Sequence, residues 1–230
     1  MTGCKGADRA RDLGLAYKSA FVLAHKMREA MAEELKGRVV GGKGKTAEIG
    51  GGYFGGYVKP ANRVENRRDR RLAVNQSGKR QCVVIVRERD GKSVPAVFRS
   101  EGAALSWVRS RIAKGTVVNA DEGTAWNDLH SRFEMRRVNH EQDYSADGAC
   151  TNMAEEHFSR LRRAEIGHHH HIAGTYLLRY AQESSWREDN RRVDNGAQTR
   201  TVAALAMNRG PSVDFCGYWQ RHLNTQTLPH

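Results

Sequence analysis

One apolar segment restricts the fold of this chain more than any other. Gln81 to Glu88 reads QCVVIVRE, a run rich in β-branched residues and typical of a strand at the centre of a sheet. Asp90-Gly91 follows as a hairpin turn signal, and residues 94–98 form the expected partner strand. The sequence therefore predicts a sheet built around this hairpin.

Helices and further strands are predicted around the hairpin. They comprise a short strand at 46–49, a helix capped by Ser100 and ending at Gly115, a buried strand at 116–120 (TVVNA), a short helix at 124–133, a strand at 135–139 and a helix at 151–164. Hairpin strands followed by strand and helix alternation predict an α/β fold, with a mixed sheet flanked by helices. The tail is predicted to be helical at 175–192 and 201–207.

The first 36 residues have the pattern of a helix-turn-helix. A short helix closes at Leu13, Gly14 supplies the turn, and apolar residues then repeat at helical spacing. The second helix is expected to present Tyr17, Lys18 and Arg28 to DNA. An ordinary helical hairpin is the alternative interpretation.

Basic residues outnumber acidic ones, 38 to 26, for a formal net charge of +12. Most of the bases are Arg, whose guanidinium group matches phosphate oxygens, so a polyanionic partner is expected; an inert basic surface is the alternative. The predicted contacts with double-stranded DNA outside the N-terminal helix are Arg67, Arg68, Arg70 and Arg71 in the loop 59–79, and Arg160 and Arg162 on the helix 151–164.

Neither cysteine spacing nor hydropathy indicates a secreted or membrane protein. The four cysteines lie far apart without a C-x-x-C pair, and no apolar run is long enough to span a membrane. We therefore predict a cytoplasmic protein with no membrane partner.

Two acidic residues occupy positions where a metal ion could bind: one follows a predicted strand, and the other lies on a predicted helix. Asp121 comes directly after TVVNA, and ligands of open sheets bind beyond the carboxyl ends of strands. Glu155 lies on the helix 151–164, with Asn152 three positions earlier on the same face. Asp121 and Glu155 are predicted to bind Mg²⁺ (or Mn²⁺), which prefers oxygen ligands. A helix-capping Asp121 and an exposed Glu155 are the alternatives.

Five segments together resemble a known family: bacterial insertion-sequence transposases with a DDE-type, RNase H-like catalytic core, of the group with an N-terminal zinc ribbon. The segments are residues 17–31, 48–71, 118–133, 138–174 and 186–192. The resemblance implies an RNase H-like mixed five-stranded sheet flanked by helices. It divides the chain into a partial helix-turn-helix segment (1–36), the transposase core (37–172) and a helical basic C-terminal extension (173–230).

The resemblance also implies a reaction. Water, and then a DNA 3′-hydroxyl, attacks a phosphodiester with help from Mg²⁺, and no small-molecule cofactor is needed. Asp121 matches the second acidic position of the family; Asn152 or Glu155 matches the third, with Arg160 or Arg163 as the basic residue that follows it. A homo-oligomer that pairs two element ends is implied.

Two departures from the family pattern bear on activity. Where the family has Glu, a hydrophobic residue and Asp on the first strand, this chain has Glu48-Ile49-Gly50, so Gly50 vacates the first acidic position. Glu48 shares the face of Gly50, and its longer side chain is one way to replace the lost ligand. The resemblance also implies a zinc ribbon upstream, which is not expected in this chain because its first residues match the helix-turn-helix.

These departures predict a copy that folds and binds DNA but catalyses transposition poorly or not at all. A non-catalytic DNA-binding protein, such as a repressor derived from a transposase, is the main alternative, and a nuclease without a joining step is another. The run His168 to His171 is expected to form a structural turn, or to approach DNA phosphates.

Overall fold

The computed structural model describes residues 10–55, 61–68, 74, 78–121, 123–138, 151–169, 172, 174–212 and 214–216. Five strands form one sheet: β1 (Thr46–Phe54), β2 (Gln81–Glu88), β3 (Ser93–Phe98), β4 (Val117–Asp121) and β5 (Glu134–Val138). The α-helices are α1 (Tyr17–Glu33), α2 (Leu105–Arg111), α3 (Asn152–Ala164), α4 (Leu177–Asp189) and α5 (Asn195–Met207). No helix in the described part of the chain is long and apolar enough to cross a membrane.

The strand order is β3-β2-β1-β4-β5. β1 and β3 run antiparallel to β2, whereas β1, β4 and β5 are parallel to one another. The predicted α/β fold, an RNase H-like mixed sheet of five strands flanked by helices, is therefore confirmed.

Strand β1 is longer than predicted, because it continues through a run of glycines. The expected strand stops at Ile49, yet Gly50, Gly51 and Gly52 pair in register with Ile85, Val84 and Val83 of β2. Glycine disfavours strands by itself. Pairing with the fully buried β2 overrides that preference.

Two apolar layers cover the sheet. On one face, Ile49, Val84 and Val118 pack with Trp126 and Leu129 of a 3-10 helix (Thr124–Ser131) and with α2. Helix α2 is shorter than the helix predicted between Ser100 and Gly115, because a 3-10 turn (Gly102–Ala104) precedes it. On the other face, residues of β1 and β2 pack against α3 and α4 through Phe54, Val83, Ile85, Phe158, Leu161 and Leu177.

Helix α1 packs against α4 and α5. The turn before it forms as predicted, because Gly14 adopts a positive φ of 61°. However, Arg28 of α1 is only 3% exposed, and its Nε donates a hydrogen bond of 2.6 Å to Glu183 on α4. The guanidinium group predicted to contact DNA is instead held in this buried ion pair, so the prediction for Arg28 conflicts with the structure.

Candidate active site

A cleft of about 370 Å³ opens where β1, β4 and the start of α3 meet. Ile49 of β1 pairs with Ala120 of the parallel strand β4, so Gly50 and Asp121 occupy the next positions on neighbouring strands. Both residues line the cleft, with Glu155 and Arg162 of α3. The structure thus brings the vacated first position, Asp121 and Glu155 to one place.

The two alternatives for the third acidic position differ in their placement. Glu155 lines the cleft that Asp121 also lines. Asn152 is exposed at the first position of α3 and is not among the lining residues. The geometry therefore favours Glu155 over Asn152.

Phe158 covers two glycines of β1, Gly50 and Gly52. A Cβ atom added at Gly50 would lie 3.0 Å from Cε2 of Phe158 and 3.4 Å from Cβ of Ala154. A Cβ at Gly52 would lie 2.8 Å from Cδ1 of the same ring. The absence of side chains on this stretch thus allows α3 to approach the strand closely.

Glu48, which shares the sheet face of Gly50, does not line the cleft. Its side chain is fully buried, and its Oε2 accepts hydrogen bonds from the backbone N–H groups of Met153 (2.9 Å) and Ala154 (3.1 Å). Its Oε1 lies 3.5 Å from Nη2 of Arg89. The carboxylate is therefore used to bind the first turn of α3.

Glu101 is a residue near this site that the sequence reasoning missed. Its carboxylate occupies the space that a side chain at Gly51 would fill. Burial, and then the charge of Asp121, raise the pKa of Glu101. In the sequence, Glu101 follows Ser100, the predicted helix cap, and looks like an ordinary first-turn carboxylate, so no local signal marks it; in the structure the 3-10 turn instead has Glu101 at its N-cap, and Ser100 does not cap the helix.

The predicted basic residues of α3 have different surroundings. Arg162 lines the cleft, with its guanidinium 5.8 Å from the centre of the Phe54 ring. Arg163 is exposed, and its Nε donates to the carbonyl of Ser159 at 3.3 Å. Arg160 is ion-paired with Glu156 and Glu188, which leaves it less available to DNA.

The other predicted DNA contacts lie away from the cleft or outside the described residues. Tyr17 and Lys18 are exposed at the start of α1, and Arg67 and Arg68 are exposed in the loop after β1. Arg70 and Arg71 lie outside the described residues, as do His170 and His171. His168 and His169 end a π-helical turn (Glu165–His169), where the ring of His169 lies 4.4 Å from that of Tyr180.

The donor set of the cleft does not fit a pair of divalent cations. Two dications a few ångström apart need several oxygen ligands. Asp121 and Glu155 supply two carboxylates, and the described residues contain no group of three or more Asp, Glu, His or Cys side chains that could hold a metal ion. Gly50, which lines the cleft beside Asp121, carries no side chain that could add an oxygen.

Comparison with known proteins identifies a family. The family model described as the ISXO2-like transposase domain matches residues 41–189, a range that contains Gly50, Asp121 and Glu155. No curated protein and no solved structure matches the chain.

Proposed function

The chain belongs to the ISXO2-like transposase family, and we propose that it binds the ends of an insertion sequence while cleaving and joining DNA poorly. The observation that carries this proposal is the composition of the cleft: Gly50 stands beside Asp121 and Glu155 where a third carboxylate is needed. Mg²⁺ or Mn²⁺ would supply the Lewis acid for phosphodiester attack, and the cleft has too few ligands to hold two such ions.

The residues proposed to act on DNA are basic. Arg162 lines the cleft and would contact the phosphate at the cleavage position, and Arg163, one position further, is exposed and would contact the duplex nearby. Lys18, Arg67 and Arg68 are exposed elsewhere and would bind the duplex backbone. Such contacts release counterions, so we expect affinity to fall steeply as salt rises. Pairing of two ends would require a homo-oligomer on the DNA.

A non-catalytic DNA-binding protein is the second candidate, and the loss of the carboxylate at Gly50 favours it equally. The two candidates differ in residual chemistry. A weak transposase nicks element-end DNA slowly with Mg²⁺ or Mn²⁺ and yields joined products, whereas a repressor binds the same DNA and never cuts it.

The test uses duplexes that carry the inverted repeats flanking the gene, with a shuffled duplex for comparison. Nicking and strand transfer are measured for the unchanged chain, Gly50→Asp and Gly50→Asn, which has the same size without the charge. We expect Gly50→Asp to act more than about 100-fold faster than the other two, since loss of even an outer partner of a metal ligand costs 10- to 100-fold.

Two results would decide against the proposal. Equal and measurable activity of the unchanged chain and Gly50→Asp would show that the cleft needs no further carboxylate, and absence of binding to the repeat duplex would show that this copy does not bind element ends. Because the new Cβ lies 3.0 Å from the Phe158 ring, Gly50→Asp combined with Phe158→Leu provides a second version with more room.

A further inference from the structure

The start of α3 has its cap supplied by another element. Thr151 precedes the helix, and its side chain forms no capping hydrogen bond. The N–H groups of Met153 and Ala154, which an N-cap side chain normally satisfies, instead donate to Oε2 of Glu48, which lies 105 and 106 positions earlier in the chain. A side chain of strand β1 thus caps the N-terminus of α3.

The surroundings of Glu48 strengthen its hydrogen bonds to the start of α3. Glu48 is fully buried, so its bonds to the two amides are shielded from water. A carboxylate at the positive end of a helix forms charge-assisted hydrogen bonds, and Arg89 places a positive charge 3.5 Å from its other oxygen. Removal of the acceptor would leave two donors in the first turn unsatisfied.

The contact lies next to the cleft on both elements. Along β1, Glu48 is two residues before Gly50 on the same face; it pairs with Asn119, which lies two residues before Asp121. Along α3, the bonded amide of Ala154 directly precedes Glu155. The carboxylate therefore joins the strand that carries the vacated position to the helix that carries the third acidic residue.

We infer that Glu48 is a positioning residue, which fixes the start of α3 on β1 and so holds Glu155 opposite Asp121. The effect of Glu48 on catalysis rests on the proposed function, whereas its role in fixing the start of α3 does not. A ligand role for Glu48 is the competing explanation. It conflicts with the two amides bound to Oε2 and with the absence of Glu48 from the lining of the cleft.

Two substitutions separate these roles. Glu48→Met keeps the length of the side chain and removes the acceptor. Glu48→Gln keeps an oxygen in place, and because both amides bind the same oxygen, the amide side chain can accept both bonds; its NH2 group then faces Arg89, whose partly exposed side chain can turn towards solvent. Positioning therefore predicts that Gln is tolerated and Met is not, whereas a ligand role predicts that both are damaging.

The first measurement is amide hydrogen exchange in the chain with Gly50 unchanged. We expect exchange at Met153 and Ala154 to be at least about tenfold faster in Glu48→Met, because each loses its acceptor, and to change little in Glu48→Gln. Amides within α4 serve as the internal reference. Unchanged exchange in a folded Glu48→Met would overturn the inference.

The second measurement is the cleavage rate in the Gly50→Asp background. Misplacement by about an ångström costs up to 100-fold, so we expect Glu48→Met to lower kcat about 10- to 100-fold with unchanged affinity for DNA, and Glu48→Gln to stay within about threefold. Glu183→Ala is the control, because Glu183 is a buried carboxylate that joins α1 to α4 away from the cleft. The folded fraction of Glu183→Ala should have the same kcat as the Gly50→Asp protein.

The outcomes distinguish this inference from the proposed function. If Gly50→Asp is inactive, the proposed function fails and the exchange measurement still decides the role of Glu48. If Gly50→Asp is active and Glu48→Gln loses activity, Glu48 acts as a ligand and the inference is wrong. Should Glu48→Met not fold, retained turnover and protected amides in Glu48→Gln support positioning, and their loss contradicts it.

Discussion

Replacement of His157 by leucine should make the chain less sensitive to acid. His157 lies on α3, fully buried, and neither ring nitrogen has a hydrogen-bond partner among the described residues. Burial, followed by the positive charges of Arg87 and Arg160, lowers the pKa of His157 from 6.5 to about 3. The ring is therefore neutral in the native protein at every pH at which the protein is usually handled.

The sign of the effect follows from proton binding. Below pH 6.5 the unfolded chain takes up a proton on His157, whereas the native chain does not until about pH 3. The free energy of unfolding is thus unaffected by this group above pH 6.5 and decreases as the pH falls below it. Each pH unit of that interval is worth about 1.4 kcal/mol, so the loss is about 2 kcal/mol at pH 5.

Urea unfolding followed by circular dichroism, at about pH 7 and pH 5, measures this loss. Other titrating groups contribute alike to both proteins, so the comparison isolates His157. We expect the parent to lose about 2 kcal/mol more than His157→Leu between the two pH values. Equal losses in the two proteins would show that the buried ring is protonated in the native state, and would refute the reasoning.

Three further predictions concern other parts of the chain. Glu183→Ala should lower the free energy of unfolding by about 3–5 kcal/mol in urea titrations, because it leaves a buried arginine unpaired; a loss below about 1 kcal/mol would contradict this. Gly52→Ala should cost about 1–3 kcal/mol through its 2.8 Å contact with Phe158, whereas Gly102→Ala, with nothing within 4 Å, should not show this clash. Arg162→Ala should lower the slope of log affinity against log salt by about one in DNA binding, and an unchanged slope would remove Arg162 from the phosphate contacts.

The sheet could be predicted where local pattern and tertiary environment agree. The apolar run Gln81–Glu88 is β2 with the same bounds, because its β-branched residues are buried on both faces of the sheet. Strand β4 ends at Asp121, one residue beyond the predicted strand. The glycines of β1 carry no such pattern, and only pairing with β2 makes them a strand.

The residues that hold the site together were less predictable, because their partners are distant in sequence. Arg28 is basic and lies on a predicted DNA-binding helix, so the sequence suggests a DNA contact. Its actual partner, Glu183, lies 155 positions away, and no local pattern indicates that ion pair. Glu48 belongs by spacing to the acidic motif, and its bond to α3 became visible only once the fold placed that helix above β1. Asp121 could be proposed because it follows a strand end, where ligands of open sheets bind, whereas Glu155 was proposed from the family resemblance; the fold brings both to one cleft.

A carboxylate missing from the cleft at Gly50 is the feature on which the proposed function depends. Titration calorimetry with Mn²⁺ tests this without DNA or turnover, on the unchanged chain, Gly50→Asp and Gly50→Asn. We expect Gly50→Asp to bind Mn²⁺ at least about tenfold more tightly than the other two, which should not differ, because a carboxylate is the oxygen ligand that the cleft is missing. Binding of Mn²⁺ by the unchanged chain as tight as that by Gly50→Asp would show that no carboxylate is missing.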